Sequence, residues 1–340
     1  MSTTRIALDV MGGDRAPDAI VEGALLACSA LGGPRIAPER LLLVGDRERI
    51  EALLEAQGGN PGFGIRHATQ VIEMGEKAAQ ALRAKPDSSI GGCVAAVKAG
   101  EAGALVGMGN TGACVGAATL GLGTLAGVRR PGIAVTLELS QHPVTILDMG
   151  ANVSPKPQHL CQYGVMGSVY MQNCLGVREP RIGLLNIGEE TSKGTDLLKE
   201  TWPLLDACGM NFVGNIEGGD IFENRADVVV TDGFTGNVIL KLLEGFAGFL
   251  LQLVLAELKA HDVTWSAEAL SKVRANIDYA EYGGALLLGV DGVVVIGHGR
   301  SDKQAVANAL ALACRTLDAS VNAHIIEGLA GPSGGVEAAS

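Results

Sequence analysis

The chain has 340 residues, of which 47% are hydrophobic and only 4% aromatic, and its formal net charge at pH 7 is −11. This length suits one large α/β domain or two smaller ones. Because no basic run offsets the negative charge, the composition argues against nucleic-acid binding, and an acidic partner would need a local basic patch.

The seven cysteines form neither a Cys-x-x-Cys pair nor a Cys/His cluster, so neither a disulfide framework nor a zinc site is predicted. The segment from Arg5 leads directly into a strand, so no signal peptide is expected. No uncharged apolar run reaches the roughly 20 residues that span a bilayer. These features predict an intracellular, soluble protein that is at most membrane-associated.

Short apolar runs alternate with helical patterns through the first half of the chain. The predicted strands there are 5–10, 40–44, 63–66 and 104–106. The predicted helices are 19–30, a charged helix ending near residue 55, 88–98 and 113–120. Strands that alternate with helices in this way indicate a largely parallel sheet covered on both faces.

The second half opens with two β-rich runs, 131–139 and 144–149, joined by a very short link. Because that link cannot hold a crossover helix, the pair is predicted to be antiparallel. The alternation of strands and helices then resumes. The strands predicted there are 181–186, 211–214, 227–230 and 292–296, and the helices are 158–173, 195–207, a long helix ending near 258, and 304–326.

Six of the predicted strands end in loops that combine glycine with Asp, Asn, Ser or Lys. In open α/β sheets, ligands bind outside the carboxyl ends of the strands. These loops are therefore predicted to line a binding crevice. They are 12–14, 107–112, 150–152, 188–194, 232–237 and 297–302.

The loop from Gly107 to Gly112 follows a strand and opens a helix. Glycine lets a ligand approach the backbone, and the unpaired amides at a helix start favour an anion. The spacing also fits a dinucleotide fingerprint, but that site needs an acidic residue about 20 positions further on. That region holds Arg129, Arg130 and Pro131 instead. A phosphate or acyl-group site, a nicotinamide site and a plain tight turn are the three alternatives.

The sequence resembles one known family in motifs that run in order through essentially residues 5–325. The motifs are Ala7-Leu8-Asp9-Val10-Met11-Gly12-Gly13-Asp14, Gly109-Asn110-Thr111-Gly112-Ala113, Arg130-Pro131, Leu147-Asp148-Met149-Gly150-Ala151-Asn152, Met166-Gly167-Ser168-Val169-Tyr170, Leu184-Leu185-Asn186-Ile187-Gly188-Glu189-Glu190 with Lys193-Gly194, Asp232-Gly233-Phe234-Thr235-Gly236-Asn237, Tyr282-Gly283-Gly284-Ala285 and His298-Gly299-Arg300-Ser301-Asp302. The chain is similar in them to the bacterial phosphate acyltransferases, the acyl-carrier-protein:phosphate transacylases of phospholipid synthesis.

The resemblance implies a three-layer α/β/α fold with a mixed, mostly parallel sheet, like the isocitrate and isopropylmalate dehydrogenases and the phosphotransacetylases. Residues 1–330 would form a single α/β domain of two intertwined subdomains, with a projecting helical segment at about 241–275 and a disordered tail at 331–340. The resemblance also implies a homodimer. The implied reaction transfers the acyl group of an acyl-acyl-carrier-protein to inorganic phosphate, the first committed step toward phosphatidic acid.

This chemistry requires the chain to hold phosphate, to stabilise an oxyanion and to let a thiolate leave. Phosphate is its own nucleophile, so no catalytic triad is needed. Lys193, on a glycine-flanked loop, is the best cationic candidate for the phosphate or the oxyanion. Asn237 is expected to place an amide at the same crevice, with an ordinary helix cap as the alternative. His298 is expected to protonate the thiolate or donate to phosphate, with a structural role as the alternative.

Further loop residues are predicted to bind phosphate or the acyl group. Asn110 and Thr111 offer side-chain donors beside backbone amides. Asp14 and Asp232 would repel phosphate, so they are predicted to orient the lysine or backbone amides, with a Mg²⁺ site as the alternative. The prediction includes no cofactor and no resident metal. The full predicted set is Gly13, Asp14, Gly109, Asn110, Thr111, Gly112, Asn152, Glu190, Asp232, Gly233 and Ser301.

Three other functions stay open from the sequence. A short-chain phosphotransacylase acting on acyl-CoA has similar chemistry and would differ in pocket length. A dehydrogenase on the related fold needs metal-binding aspartates and an arginine cluster, and neither can be assembled from the motifs. A regulatory acyl-binding protein is the non-enzymatic alternative, and phosphate-dependent release of free carrier thiol would exclude it.

The run 245–256 carries no charge and is apolar nearly all round a helix. It is too short to span a bilayer, so it is expected to be buried elsewhere. One prediction is burial in the core or in a dimer interface. The other is contact with lipid, which suits an amphiphilic acyl phosphate. The family resemblance implies the same, a cytoplasmic protein that is peripherally associated with the inner face of the membrane. The residues predicted to face lipid are Leu251, Val254, Leu255, Leu258 and Trp265.

Overall fold

A computed structural model of the chain describes residues 4–29, 35–139, 142–260 and 283–330. They divide into two compact units. The first unit contains the described residues of Met1–Pro131 and Tyr282–Glu327, and the second contains those of Gly132–Glu281 and Gly328–Ser340. The predicted helical segment beyond residue 260 and the predicted tail lie outside the described residues.

The strands in chain order are β1 (Ile6–Asp9), β2 (Leu41–Gly45), β3 (Gly64–His67), β4 (Ala104–Gly107), β5 (Gly132–Leu139), β6 (His142–Leu147), β7 (Ile182–Leu185), β8 (Phe212–Ile216), β9 (Val228–Val230), β10 (Ala285–Leu288) and β11 (Val293–Ile296). The helices are α1 (Asp18–Cys28), α2 (Arg47–Ala56), α3 (Ala78–Ala84), α4 (Ser89–Lys98), α5 (Thr111–Leu122), α6 (Pro157–Leu175), α7 (Asp196–Ala207), α8 (Gly233–Ala260), α9 (Lys303–Asp318) and α10 (Val321–Ala330).

The sheet of the first unit has the strand order β3–β2–β1–β4–β11–β10. β1 pairs in parallel with β2 and β4, and β4 pairs in parallel with β11. The β10–β11 pair is antiparallel. The strands β1, β2 and β4 are buried along their whole length, as expected where helices cover both faces of a parallel sheet. Helix α1 packs closely on α9, because a Cβ on Gly23 would lie 2.4 Å from Val306 Cβ.

The sheet of the second unit has the strand order β5–β6–β9–β7–β8. β5 and β6 pair antiparallel, which confirms the prediction from their short link. β6, β9, β7 and β8 are parallel to one another. Helix α6 covers this sheet with the buried Tyr163 and Tyr170, and Gly167 permits close contact with Val228. The predicted mixed, mostly parallel α/β architecture is therefore confirmed in both units.

One prediction from periodicity fails in detail, and two short elements were not predicted. The predicted helix 304–326 is two helices, because α9 ends at Asp318 and Ser320 adopts a positive φ of 50° before α10 begins. Helix α3 and strand β10 were not predicted. Both are short, with seven and four residues, and elements of that length carry little periodic signal.

The run 245–256 lies within α8, whose 28 residues are enough, by length and composition, to cross a membrane. One helix of this kind is weak evidence for a membrane span, since core helices of soluble proteins have similar length and composition. The most apolar part of α8 has no buried residue, so the structure does not bear out the prediction of core burial for the described part of the chain. Its exposed large apolar side chains are Phe234, Val238, Leu242, Phe246, Phe249, Leu250, Leu253 and Leu255. Trp265 lies outside the described residues.

Candidate active site

Each unit gathers three of the six predicted loops at one edge of its sheet. In the first unit the loops follow the mutually parallel β1, β4 and β11. In the second unit they follow the mutually parallel β6, β9 and β7. The carboxyl ends of parallel strands meet at one edge, so the predicted clustering holds within each unit.

In the first unit, Asp9 at the end of β1 organises the loop that follows. Its buried carboxylate accepts the amides of Met11 at 3.1 Å and Gly12 at 3.2 Å. Burial raises the pKa of Asp9, while hydrogen bonds from the Ser89 side chain and these two amides oppose the shift. A Cβ on Gly12 would lie 2.7 Å from the Asp9 carboxylate, so this tight turn requires glycine.

The Gly107–Gly112 loop packs tightly against its surroundings. A Cβ on Gly109 would lie 3.2 Å from Gly12 Cα, and the Gly109 backbone hydrogen-bonds the Cys114 thiol. Burial raises the pKa of that thiol to about 12. Gly109 therefore joins two loops by packing. The predicted anion cradle stays a prediction.

Asn110 is the N-cap of α5 and also holds a second loop. Its Oδ1 accepts the Ala113 amide at 3.0 Å. Its Nδ2 donates to the carbonyls of Glu73, Met74 and Glu76 at 3.5, 3.0 and 2.9 Å. Because both ends of the amide are engaged, a phosphate contact from this side chain would have to replace one of these bonds. Thr111 is exposed in the first turn of α5.

The loop after β11 meets the loop after β1. The Asp14 amide donates to the Gly299 carbonyl at 2.7 Å. A Cβ on Gly13, whose φ is 111°, would lie 3.0 Å from the Met108 carbonyl. The structure thus brings Gly13, Asp14 and the His298–Ser301 loop together as predicted from the sequence, although their roles stay predictions.

Ser301 and His298 carry the chemistry of that loop. Ser301 is only 5% exposed, and its hydroxyl has no hydrogen-bond partner among the described residues. Buried polar groups are normally paired, so this hydroxyl is an exception, and the predicted binding role of Ser301 stays a prediction. His298 is partly buried, and its Nδ1 accepts the Arg300 amide at 3.1 Å. Its neutral ring therefore carries the proton on Nε2.

A cleft of about 460 Å³ opens in the first unit between the loop after β1 and residues 71–75. It is lined by Gly13, Asp14, Arg49, Glu73 and Met74, among others. The cleft thus contains a guanidinium as well as two carboxylates. Within the described ranges, no group of three or more His, Cys, Asp or Glu side chains is placed to hold a metal ion.

In the second unit, Asp148 directly follows β6 and is the counterpart of Asp9. Its fully buried carboxylate accepts backbone amides from Ile133, Gly150, Ala151 and Asn152 at 2.8 to 3.0 Å. The Asn152 Nδ2 donates to it as well, at 3.1 Å. Burial raises the pKa of Asp148, and these hydrogen bonds oppose the shift.

Asp9 and Asp148 are the site carboxylates that the sequence patterns did not single out. A signal was present. The pair Leu8-Asp9 is followed by Val10 and then by Met11-Gly12. The pair Leu147-Asp148 is followed directly by Met149-Gly150. Each carboxylate then accepts the amides two and three residues ahead. A repeated strand-end aspartate would have identified both.

Asn152 connects the loop after β6 to α6 and α8. Its Nδ2 donates to the Tyr163 hydroxyl at 2.8 Å, and its carbonyl accepts the Gly233 amide at 2.9 Å. A Cβ on Gly233 would lie 2.6 Å from the Asn152 carbonyl oxygen, and one on Gly236 would lie 2.0 Å from that of Asp148. The structure therefore brings Asn152 and Gly233 together, and glycine allows α8 to start directly against this loop.

Asp232 caps α8. It accepts the amides of Phe234 and Thr235 at 3.0 and 2.9 Å, and the Thr235 hydroxyl at 2.7 Å. This fits the prediction that Asp232 orients backbone amides. Asn237 lies one turn into the helix, so the helix-cap alternative for it is wrong. It is exposed, and its side chain lies 3.6 Å from where a Cβ on Gly150 would be.

Lys193 is exposed on the loop after β7, whose backbone is tied down on both sides. Asn186 Nδ2 donates to the Lys193 carbonyl at 3.2 Å, and Asn215 Nδ2 donates to the Glu190 carbonyl at 3.0 Å. A Cβ on Gly188 would lie 3.1 Å from Lys193 Cγ and 2.8 Å from the Glu190 carboxylate. The loop thus brings Glu190 and Lys193 together over a glycine. Asn186 and Asn215 are supports that the sequence did not reveal.

Comparison with known proteins identifies relatives along nearly the whole chain. Residues 4–324 match the family described as Fatty acid synthesis protein. A phosphate acyltransferase from Desulfitobacterium hafniense (strain DSM 10664 / DCB-2) is 46% identical over 316 residues, which cover 91% of this chain and 92% of that protein. A phosphate acyltransferase from Heliobacterium modesticaldum (strain ATCC 51547 / Ice1) is 44% identical over 334 residues, covering 96% and 98%.

Solved structures share the fold at low identity. A phosphotransacetylase from Streptococcus pyogenes matches with a TM-score of 0.59 and 13% identity, covering 96% of this chain and 94% of that one. A putative 4-hydroxythreonine-4-phosphate dehydrogenase from Salmonella typhimurium matches with a TM-score of 0.52 and 15% identity, covering 92% and 99%. These likenesses confirm the predicted fold class. By its match from residue 4 to residue 324, the chain belongs to the Fatty acid synthesis protein family.

Proposed function

We propose that this chain is a phosphate acyltransferase that acts on acyl-acyl-carrier-protein. An oxygen of inorganic phosphate forms a bond to the thioester carbonyl carbon, the carbon–sulfur bond breaks, and the carrier thiolate takes up a proton. The products are an acyl phosphate and free carrier thiol. The observation that carries the proposal is the 46% identity, over 91% of the chain, to a phosphate acyltransferase.

In the first unit, two side chains are candidates for holding phosphate. The Ser301 hydroxyl has no partner among the described residues and is buried, so the loop has to open before this hydroxyl can donate to a phosphate oxygen. The Arg300 amide holds His298 in the tautomer that carries its proton on Nε2, and this neutral ring donates a hydrogen bond to a phosphate oxygen; protonation of the leaving thiolate would need the imidazolium, in which the bond from Arg300 is lost. Of the two roles proposed for His298 from the sequence, the hydrogen bond at Nδ1 favours donation to phosphate.

In the second unit, Lys193 supplies the positive charge. Its loop is fixed through Asn186 and Asn215, whereas the side chain itself is exposed. A cation on a pre-positioned backbone stabilises a developing oxyanion without first reorganising. Asn237 adds an amide donor from the first turns of α8.

The test is a direct assay of purified protein with acyl-acyl-carrier-protein and inorganic phosphate. The expected products are acyl phosphate and free carrier thiol, in a ratio of one to one and only when phosphate is present. The same assay with long-chain and short-chain acyl-CoA separates the closest alternative. Faster turnover of short-chain acyl-CoA would replace the proposal by a short-chain phosphotransacylase, and tight acyl binding without thiol release would replace it by a regulatory protein.

We also propose that the protein is a homodimer that binds the membrane surface peripherally through α8. The supporting observation is the row of exposed apolar side chains on that helix, which suits a product that is itself amphiphilic. Co-sedimentation with anionic phospholipid vesicles should fall sharply for Leu253→Glu and Leu255→Glu. Equal sedimentation of folded wild type and variants would contradict the membrane proposal, and a monomer in analytical ultracentrifugation would contradict the dimer.

A further inference from the structure

The loop after β6 and the start of α8 form one continuous set of contacts within the second unit. The Asp148 carboxylate holds the backbone from Gly150 to Asn152 through three amides. The Asn152 carbonyl then accepts the Gly233 amide at 2.9 Å. Gly236 lies so close to Asp148 that an added Cβ would be 2.0 Å from its carbonyl oxygen. The position of the first helical turns is therefore set by this loop.

Asn237 links these contacts to the proposed reaction, because it is proposed to supply an amide donor there. It follows Gly236 directly, and its side chain lies beside Gly150, which belongs to the loop held by Asp148. A shift of that loop would therefore move the Asn237 amide. Asp148 itself is fully buried, so it acts on the reaction through the residues that it holds.

The number of N–H donors around the Asp148 side chain requires two accepting oxygens, as a carboxylate has. Five N–H groups point at its two oxygens, four from the backbone and one from Asn152 Nδ2. An ionised carboxylate accepts at both oxygens, whereas an amide of the same shape would direct an NH₂ group at some of these donors. An Asp148→Asn change would therefore leave the volume unchanged and release part of the loop.

We propose that Asp148 is a positioning residue for the acyl transfer, which sets the place of Asn237 through the Gly150–Asn152 loop. The inference rests on the proposed function, because it concerns the same reaction. It goes beyond that function by assigning a buried group of the sheet edge, outside the predicted site, to the geometry of catalysis.

The test compares Asp148→Asn with Asp227→Asn in the acyl phosphate assay. Asp227 is also a buried carboxylate of the second unit, paired with Arg181 at 2.8 Å, but it precedes β9 and so lies at the opposite edge of the sheet. Both variants should lower the thermal midpoint. Only Asp148→Asn should lower kcat per folded molecule by about 10²-fold, the effect expected of a small misplacement near the chemistry.

A double-mutant cycle with Asn237→Ala separates positioning from general destabilisation. If Asp148 acts through Asn237, the Asp148→Asn and Asn237→Ala losses in kcat will not multiply in the double variant. Should Asp148→Asn fail to fold, Gly150→Ala serves in its place, since it strains the loop at a φ of 135° and would place a Cβ 3.6 Å from the Asn237 side chain. We expect about a tenfold loss of kcat from it, with the same non-additivity.

Three results would overturn the inference while the proposed function stands. They are kcat losses that multiply in the double variant, equal kcat for folded Asp148→Asn and Asp227→Asn, and a fully active Asn237→Ala enzyme. Absence of acyl phosphate with the wild-type protein would instead overturn the proposed function, so the two failures are distinguishable.

Discussion

Each unit has an aspartate at a strand end that holds the loop after it, and the two loops differ in how tightly they are closed. Asp9 and Asp148 each accept the amides two and three residues ahead. The loop after Asp148 folds back until Asn152 also donates to the carboxylate, and it closes against α8. The loop after Asp9 instead runs outward to an exposed Asp14 beside a cleft.

This difference distinguishes a loop in the second unit whose polar groups are paired from a region of the first unit that has an unpaired polar group. In the second unit, the backbone around Asp148 satisfies its own hydrogen bonds and holds a helix start. In the first unit, the neighbouring Ser301 hydroxyl has no partner within the described residues. Substitutions in the second unit should therefore change mainly the position of side chains or the turnover. Substitutions in the first unit should change mainly the affinity for a bound ligand.

The largest expected effect is chemical and concerns Lys193. Lys193→Ala should lower turnover by about 10²- to 10³-fold, the usual loss for one oxyanion donor. Folding should be unchanged, because the side chain is exposed. Steady-state kinetics and a thermal melt measure the two quantities, and Lys199→Ala on the exposed face of α7 is the control, expected within twofold of wild type. Wild-type turnover in folded Lys193→Ala would remove Lys193 from the site.

A pair of glycine substitutions tests how tightly each loop is closed. Gly236→Ala should lower the free energy of unfolding by about 3 kcal/mol, because its Cβ would lie 2.0 Å from the Asp148 carbonyl oxygen. Gly109→Ala should cost about 1 kcal/mol, since its nearest neighbour, Gly12 Cα, would be 3.2 Å away and can shift slightly. Urea unfolding gives both values. Equal losses would show that the two units are packed alike at this edge.

The helix caps next to the loops provide a third comparison. Asn110→Ala should destabilise by about 2 kcal/mol, because it removes the cap of α5 and the bonds that hold the carbonyls of residues 73–76. Asp232→Ala removes the cap of α8 and should cost about 1 kcal/mol. The measurement is again urea unfolding. A reversed order would mean that the 73–76 loop gains nothing from Asn110.

Ser301→Ala is expected to have the smallest overall effect, with little change in stability. Its hydroxyl has no partner within the described parts of the chain, so the free energy of unfolding should change by less than about 0.5 kcal/mol. The phosphate concentration for half-saturation should rise about tenfold, the usual effect of losing one hydrogen bond to a charged ligand. Phosphate titration of the acyl phosphate assay measures this rise. An unchanged half-saturation point would show that the anion lies elsewhere.

The loops at the sheet edge are predicted well from the sequence, because the residues that indicate them are adjacent in the chain. Glycine and polar residues at strand ends predicted the loops of both units, and the short link predicted the antiparallel β5–β6 pair. Burial and hydrogen-bond partners are set by distant parts of the chain. Nothing next to Asp148 in sequence shows that Ile133 donates to it, and nothing next to Asn110 shows that it holds residues 73–76. The supports of the site were therefore the part that sequence patterns missed.

The strand order of the first unit also has a consequence during synthesis. β4 lies between β1 and β11, and Ala104 pairs with Val293, so the ribosome completes β5 to β9 before the last neighbour of β4 exists. During that interval an apolar strand keeps one row of backbone donors and acceptors unpaired, which invites pairing with the wrong chain. Closure of this sheet is a late, long-range and slow step. A chain that stops before residue 293 should therefore aggregate, even though strands β5 to β9 are contiguous and complete.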